Sequence, residues 1–329
     1  MNPQGVPASR IVGRLAPSPT GGLHLGHART FLIAWLTARR SAGQVILRIE
    51  DLDSSRVRAD ALSTALSDLK WLGLDWDEGP EVGGPSAPYV QSQRSALYDQ
   101  ALEKLKASES VYPCTCTRAD VERAASAPHA ADEGPTYPGT CAHRSAADAL
   151  TLENQSFAWR FRVPPGPVAW DDLFLGHVEL DPSRLGGDFI VARQGAGYSY
   201  QLAVVADDDA MGVNQVIRGA DLVPSTPRQI LLFRRLGRPL PTFGHVPLAL
   251  DAAGRRLAKR DGSLKLSALH AAGVDPRRLV GSLIHSCGWS ESIVPMTPRE
   301  AIHCCEPGRL RTEPWVVTPE WLEWLQGSR

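Results

Sequence analysis

No run in this chain approaches the roughly 18 consecutive apolar residues of a membrane-crossing helix, so a membrane span is not expected. The opening Met-Asn-Pro-Gln-Gly-Val-Pro lacks a charged segment followed by an apolar one. It does not read as a secretory signal, and residues 1–9 read as a loose tail. Cysteine is sparse. Six in 329 residues do not make a disulfide scaffold, and a reducing, cytoplasmic setting is expected. Cys287, Cys304 and Cys305 sit in apolar or mixed contexts and read as inert packing residues. A surplus of one charge is missing too: 35 Lys and Arg face 36 Asp and Glu, and a net charge of −1 does not advertise nucleic-acid binding. Internal repeats and low-complexity tracts are absent.

What is present is enough apolar material, 43% of residues, for a sizeable core and two or three domains. The charge is also uneven. Between 218 and 265, basic residues at 218, 228, 234, 235, 238, 255, 256, 259, 260 and 265 outnumber acids at 221, 251 and 261, a local patch suited to a polyanion.

The most informative stretch is Arg14-Leu-Ala-Pro-Ser-Pro-Thr-Gly-Gly-Leu-His-Leu-Gly-His27. Ile11 and Val12 read as the end of a strand, and Ala28 to Arg40 as a helix with an apolar stripe at Phe31, Leu32, Trp35 and Leu36. The run is therefore expected to be a strand-to-helix turn. Backbone N–H groups at a helix start favour an anion, glycines allow close approach of a phosphate, and His24 and His27 add donors for a transferring phosphoryl group.

Further along, Gln44–Ile49 reads as a buried parallel strand, and Arg58–Leu72 and Arg94–Lys106 as helices. This alternation predicts a doubly wound, Rossmann-like α/β sheet. From Tyr112 to Arg144 the texture turns to Pro, Ala, Gly and Cys, which marks an insertion. Phe157–Val163, Gly187–Ala192, Val213–Arg218 and Val246–Leu250 are strand candidates, Gly197–Val205 continues the strand and helix pattern, and Pro227–Leu236 and Val274–Trp289 are helix candidates. The expected organisation is a first catalytic half over 10–112, an inserted subdomain over 113–182, a second half over 183–254, and a catalytic loop with a short helical C-terminal part over 255–329.

Three more motifs follow in order: Arg48-Ile-Glu-Asp-Leu-Asp53; Tyr200-Gln-Leu-Ala-Val-Val-Ala-Asp-Asp208, continuing through Met211-Gly-Val to Val216-Ile-Arg218-Gly-Ala-Asp-Leu and Ser225-Thr-Pro-Arg228; and Arg256-Leu-Ala-Lys259-Arg260-Asp-Gly. Together with the first run they resemble the glutamyl branch of the class I aminoacyl-tRNA synthetases, over residues 10–285. The resemblance implies an ATP-dependent, ligase-type enzyme that makes glutamyl-adenylate. It implies a glutamate pocket of Arg14, Ala16, Ser18, Glu50, Tyr200 and Arg218, with Glu50 accepting from the ammonium and Arg218 meeting the side-chain carboxylate. The chemistry agrees: guanidinium groups pair bidentately with carboxylates, and an ammonium needs an acceptor. The bland alternative for Glu50 is a surface ion pair with Arg48 or Arg56. ATP, with Mg2+, is expected across His24, Gly26, His27, Lys259 and Arg260, with His24, His27 and Lys259 catalytic. Ala258 stands where the family often has serine.

Cys114 and Cys116, followed by Cys141 after a loop, have the spacing of a zinc site that lacks a fourth ligand. His143 is the chemically ordinary choice and Tyr137 the unusual one. Resemblance to the short glutamyl-Q branch of this family, whose zinc ligands are Cys, Cys, Tyr and Cys, favours Cys114, Cys116, Tyr137 and Cys141 around one structural zinc ion. Only forty residues follow Trp289, too few for the large helical anticodon-binding domain of a discriminating glutamyl-tRNA synthetase. The expected partners are thus ATP, L-glutamate and tRNA(Asp) carrying queuosine, whose anticodon would receive the glutamate, and the expected state is a monomer. The alternatives are a truncated synthetase charging a tRNA 3′ end, a non-catalytic RNA-binding paralogue, or a small-molecule nucleotidyltransferase.

Overall fold

The structure, a computed structural model, describes residues 10–19, 21–52, 60–124, 136–152, 155–257, 264–325 and 327. The expectations for residues 1–9, Asp53, Arg56, Arg58, Ala258, Lys259 and Arg260 lie outside them.

The chain enters through β1 (Val12–Leu15), α1 (Leu25–Arg40) and β2 (Gln44–Leu47). The α1 side chains Leu32, Ile33, Trp35 and Leu36 are at most 1% exposed. Each contributes about 1.5–3 kcal/mol by leaving water, which is what holds α1 on the sheet. β1 and β2 run parallel, Val12 opposite Gln44 and Leu15 opposite Leu47. Next come α2 (Ala61–Trp71) and α3 (Ser95–Ala107).

An antiparallel region follows. It contains β3 (Val111–Cys114), α4 (Arg118–Ala124), β4 (Ala158–Phe161), β5 (Val168–Asp172), β6 (Gly176–Leu180), β7 (Phe189–Arg193) and β8 (Gly197–Tyr198). Its strands pair as a sheet in the order β3-β4-β7-β8, with β5-β6 as a separate hairpin. β7 and β8, beyond residue 182, thus belong to the antiparallel sheet.

The parallel layer resumes with α5 (Tyr200–Ala210), β9 (Gln215–Gly219), α6 (Thr226–Arg235) and β10 (Thr242–Val246). β9 and β10 are parallel, with Arg218 opposite His245. β9 lies beside β1: Asn214 N donates to Val12 O at 3.0 Å, and Val12 N to Asn214 Oδ1 at 2.8 Å. α1 packs across β1, β2 and β9. The order of β10, β9, β1 and β2, with α1 on one face, is the Rossmann-like arrangement the alternation predicts.

The strand expected over Val246–Leu250 is two strands. β10 ends at Val246, Pro247 and Leu248 bend the chain, and β11 (Ala249–Asp251) starts anew. The C-terminal part contains α7 (Leu266–Ala271), α8 (Pro276–Ser286), α9 (Pro298–Ala301), β12 (Trp315–Val317) and α10 (Pro319–Leu325). β12 pairs in parallel with β11, Ala249 opposite Trp315. Among the described residues no helix is long and apolar enough to cross a membrane.

Candidate active site

β1 runs to Leu15, so Arg14 is a strand residue and not part of the turn, and α1 begins at Leu25, earlier than the apolar stripe indicates. The reason is the cap. His24 is the N-cap; its Nδ1 accepts from Gly26 N at 3.1 Å, while His24 N donates to His27 Nδ1 at 3.4 Å. These are the reciprocal bonds of a capping box, made here by two imidazoles. With both Nδ1 atoms accepting, a neutral ring carries its proton on Nε2. The two rings stack at 3.7 Å between centroids. A Cβ on Gly26 would sit 3.1 Å from His24 Cε1, closer than ordinary contact, so glycine is what lets the ring fold back over the helix start.

This helix start lines a cleft of about 410 Å3. Arg14, Ala16, Ser18, Glu50, Tyr200 and Arg218 share that cleft with His24, Gly26 and His27. Backbone bonds from Arg48 N to Leu15 O, 2.9 Å, and from Glu50 N to Pro17 O, 3.1 Å, zip the loop after β1 to the chain leaving β2, which brings Arg14 to Ser18 alongside Glu50.

Glu50 does pair with Arg48, at 3.0 Å, but the pair is buried: the side chains are 8% and 0% exposed. The pair with Arg48 is therefore not a surface one, and Arg56 lies outside the described residues. Arg48 Nη1 also donates to Asp208 Oδ1 at 2.7 Å. Burial alone would lower the Arg48 pKa, but Asp208, Asp207 and Glu50 hold it well above the ordinary value. Burial raises the Glu50 pKa, against the pull of Arg48 and Arg14. Asp207 is satisfied on its own side by Arg94 Nε at 2.6 Å, Gln91 Nε2 at 2.8 Å and the Tyr98 hydroxyl at 3.0 Å. Arg14 donates to Ile217 O at 2.8 Å, while its buried Nε has no hydrogen-bond partner and lies 3.7 Å from Asp208. A buried guanidinium with an unused N–H is suited to a ligand carboxylate.

Arg218, on β9, is 4% exposed. It donates from Nε to His245 Nε2 at 3.1 Å, from Nη1 to Gln229 Oε1 at 2.7 Å and from Nη2 to Thr226 Oγ1 at 2.8 Å. Burial lowers its pKa, with Tyr200 offsetting part of the loss. Burial, then the Glu50 charge, raises the Tyr200 pKa. Arg48, Asp208, His245 and Asp172 were missed as partners of the site. Asp207 and Asp208 of α5 carried a readable signal: seven and eight positions after Tyr200, they share its helical face. For His245 the sequence offered none.

In the basic stretch from 218 to 265, Arg234 and Arg235 are exposed, Lys259 and Arg260 lie outside the described residues, and several others are buried or paired. Arg218 is buried, Arg255 pairs with Asp251 at 2.9 Å, Arg256 with Asp221 at 2.6 Å and Arg238 with Asp209 at 3.1 Å. Asp221 and Asp251 belong to the same stretch, and Asp209 comes from α5.

At the tip of β3, the Sγ atoms of Cys114, Cys116 and Cys141 lie within 4.8 Å of one another, a cluster able to hold a metal ion such as zinc. The Tyr137 hydroxyl is 3.3 Å from Cys114 Sγ and 4.0 Å from Cys116 Sγ, and accepts from Cys141 N at 2.8 Å. His143 is exposed and outside the cluster. Burial and its sulfur neighbours push the Cys116 thiol up to about 11. Burial also opposes ionisation of Cys141, but hydrogen bonds from the Thr115 backbone, Cys116 and Tyr137 bring it down to about 7. The donors, three sulfurs and one phenolic oxygen, fit a four-coordinate zinc ion.

Residues 10–324 match the family model for the catalytic domain of class I tRNA synthetases (E and Q). The glutamyl-Q tRNA(Asp) synthetase of Symbiobacterium thermophilum is 48% identical over 97% of this chain and 99% of its own length. The protein of that name from Nitratidesulfovibrio vulgaris is 46% identical over 96% and 98%. In structure, the chain resembles the glutamate-tRNA synthetase of Elizabethkingia anophelis, with a TM-score of 0.83 and 26% identity over 96% of this chain and 70% of that one. The chain belongs to the class I tRNA synthetases of the E and Q type and is an enzyme of the ligase type.

Proposed function

We propose that the chain activates glutamate with ATP and transfers it to the queuosine of the tRNA(Asp) anticodon. The observation that carries the activation step is the single cleft in which Arg14, Glu50, Tyr200 and Arg218 face the capped start of α1. The acceptor is supported by near full-length relatives named for that reaction.

Glutamate enters with its ammonium at Glu50 and its side-chain carboxylate at Arg218; the Arg14 wall, with Ala16 and Ser18, closes the pocket. An oxygen of the α-carboxylate attacks the α-phosphorus of ATP. The bond from that phosphorus to the bridging oxygen breaks, and pyrophosphate leaves. The Nε2–H groups of His24 and His27 and the N–H groups of α1 stabilise the phosphoryl charge. Lys259 and Arg260 are assigned to the phosphates by the resemblance, and Mg2+ accompanies ATP. A hydroxyl of the queuosine cyclopentenediol then attacks the activated carbonyl and AMP departs. Catalysis is positioning and charge stabilisation, with no protein nucleophile. Cys114, Cys116, Tyr137 and Cys141 would hold a structural zinc ion, which supplies cross-links to a region with a small apolar core.

Exchange of pyrophosphate into ATP with glutamate and no RNA tests the activation step. Exchange is expected without tRNA; complete dependence on added tRNA would contradict it.

A further inference from the structure

Arg218 is a buried cation whose hydrogen-bond partners are neutral groups, His245 Nε2, Gln229 Oε1, Thr226 Oγ1, the carbonyl of Leu222 and the Tyr200 hydroxyl, with the Asp208 charge acting only from a distance. Among the described residues no carboxylate forms an ion pair with it. Burying an unpaired cation is costly, and a ligand carboxylate relieves that cost where a neutral amide does not. The frame around Arg218 therefore has to orient the guanidinium without neutralising it.

His245 can do this in only one protonation state. To accept from Arg218 Nε it must have a free lone pair on Nε2, which places its proton on Nδ1. Nδ1 lies 2.5 Å from Asp172 Oδ2. Asp172 is itself pinned: its Oδ1 accepts from His245 N at 3.0 Å, Phe174 N at 3.1 Å and Leu175 N at 3.2 Å. His245 is 0% exposed and Asp172 is 4% exposed, so these bonds are shielded from bulk water. The aspartate comes from the end of β5, in the antiparallel region, and reaches β10 through the bond from Leu173 N to Phe243 O at 2.8 Å.

We propose that Asp172 and His245 are positioning residues for substrate specificity: Asp172 fixes the His245 tautomer, His245 aims Arg218, and the uncompensated guanidinium selects a substrate with an anionic side chain. This rests on the reading that Arg218 receives the glutamate side-chain carboxylate. Burial and the Arg218 charge also hold the His245 pKa below the ordinary imidazole value, as an accepting Nε2 requires.

The test is pyrophosphate exchange with the full-length protein, varying glutamate, glutamine and ATP, together with the 15N signals of the His245 ring. In Asp172→Asn the three backbone donors hold the amide oxygen, so the amide N–H2 faces Nδ1 and forces the proton to Nε2, donor against donor with Arg218. The expected result is a rise in glutamate KM of about 10- to 100-fold, with ATP KM changed less than about threefold and a narrower preference over glutamine. His245→Gln, which keeps an acceptor, should recover part of what His245→Ala loses. Unchanged glutamate KM in Asp172→Asn, equal rises in both KM values, or no difference between the Gln and Ala variants would overturn the proposal. If the variants do not fold, the wild-type ring decides alone: Nδ1–H at pH 8 supports the proposal and Nε2–H overturns it. A wild type with no glutamate-dependent exchange refutes the functional reading itself. A wild type that exchanges normally beside an unaffected Asp172→Asn refutes only this inference.

Discussion

A proton on His245 would face Arg218 from β9 and Arg14 from β1, with Asp172 from β5 as the carboxylate, among the described residues, that offsets them; Thr226 and Gln229 of α6 are neutral. Burial first, then Arg218, sets its folded pKa below 6.5. A lowered folded pKa means that the intact site binds fewer protons than the disrupted one. Its contribution is complete above 6.5 and is lost as pH falls through the lower folded value. Glutamate affinity measured by calorimetry without ATP should therefore weaken on acidification below that point, and less steeply in His245→Gln. Protonation of Glu50, whose pKa burial raises, acts in the same direction and remains in that variant. At the other end of the cleft, Gly26→Ala should displace the His24 ring and raise ATP KM about tenfold, with glutamate affinity unchanged in the same calorimetry. Arg14, Gly26 and Glu50 were legible because each stands in a local motif whose residue types carry their own chemistry. His245 and Asp172 were not, because they lie 73 residues apart and their meaning arises only from contact.

Elements were read well where periodicity decides them and poorly where a few bonds do. The apolar stripe finds α1, but its start is set by two histidines that a propensity scale would leave outside a helix. The run from Val246 to Leu250 is apolar throughout, and only Pro247, which has no N–H to donate, marks the break between β10 and β11. The antiparallel region was legible as a change of texture but not as a sheet, since its partners β4 and β7 are far apart in the chain. Its cysteine cluster has a small core around Tyr112, Val121 and Tyr137. Cys116→Ser should lose about one equivalent of zinc by metal analysis and lower Tm by several degrees, while a chelator should destabilise the wild type and leave the variant unmoved. Absence of zinc from both proteins would remove the metal from this account. β12 pairs with β11, and Trp315 N donates to Leu248 O at 2.9 Å beside the cleft. Removal of residues 313–329 should therefore raise ATP KM severalfold; an unchanged value would show that β11 holds its place alone.

For the whole molecule, alternation of strands and helices was enough to anticipate the parallel layer, and the order of four motifs was enough to anticipate the family. Net charge was a poor guide to a tRNA partner, and within the basic stretch Arg238, Arg256 and Arg255 are paired with Asp209, Asp221 and Asp251. In the proposed function the cleft is the site of glutamate activation, and the acceptor rests on the named relatives. The most direct measurement is transfer of labelled glutamate to purified tRNA(Asp) with and without queuosine. The account predicts label only on the queuosine-containing tRNA, retained when the 3′-terminal nucleotides are removed by a nuclease after charging. Equal labelling of both tRNAs would contradict it.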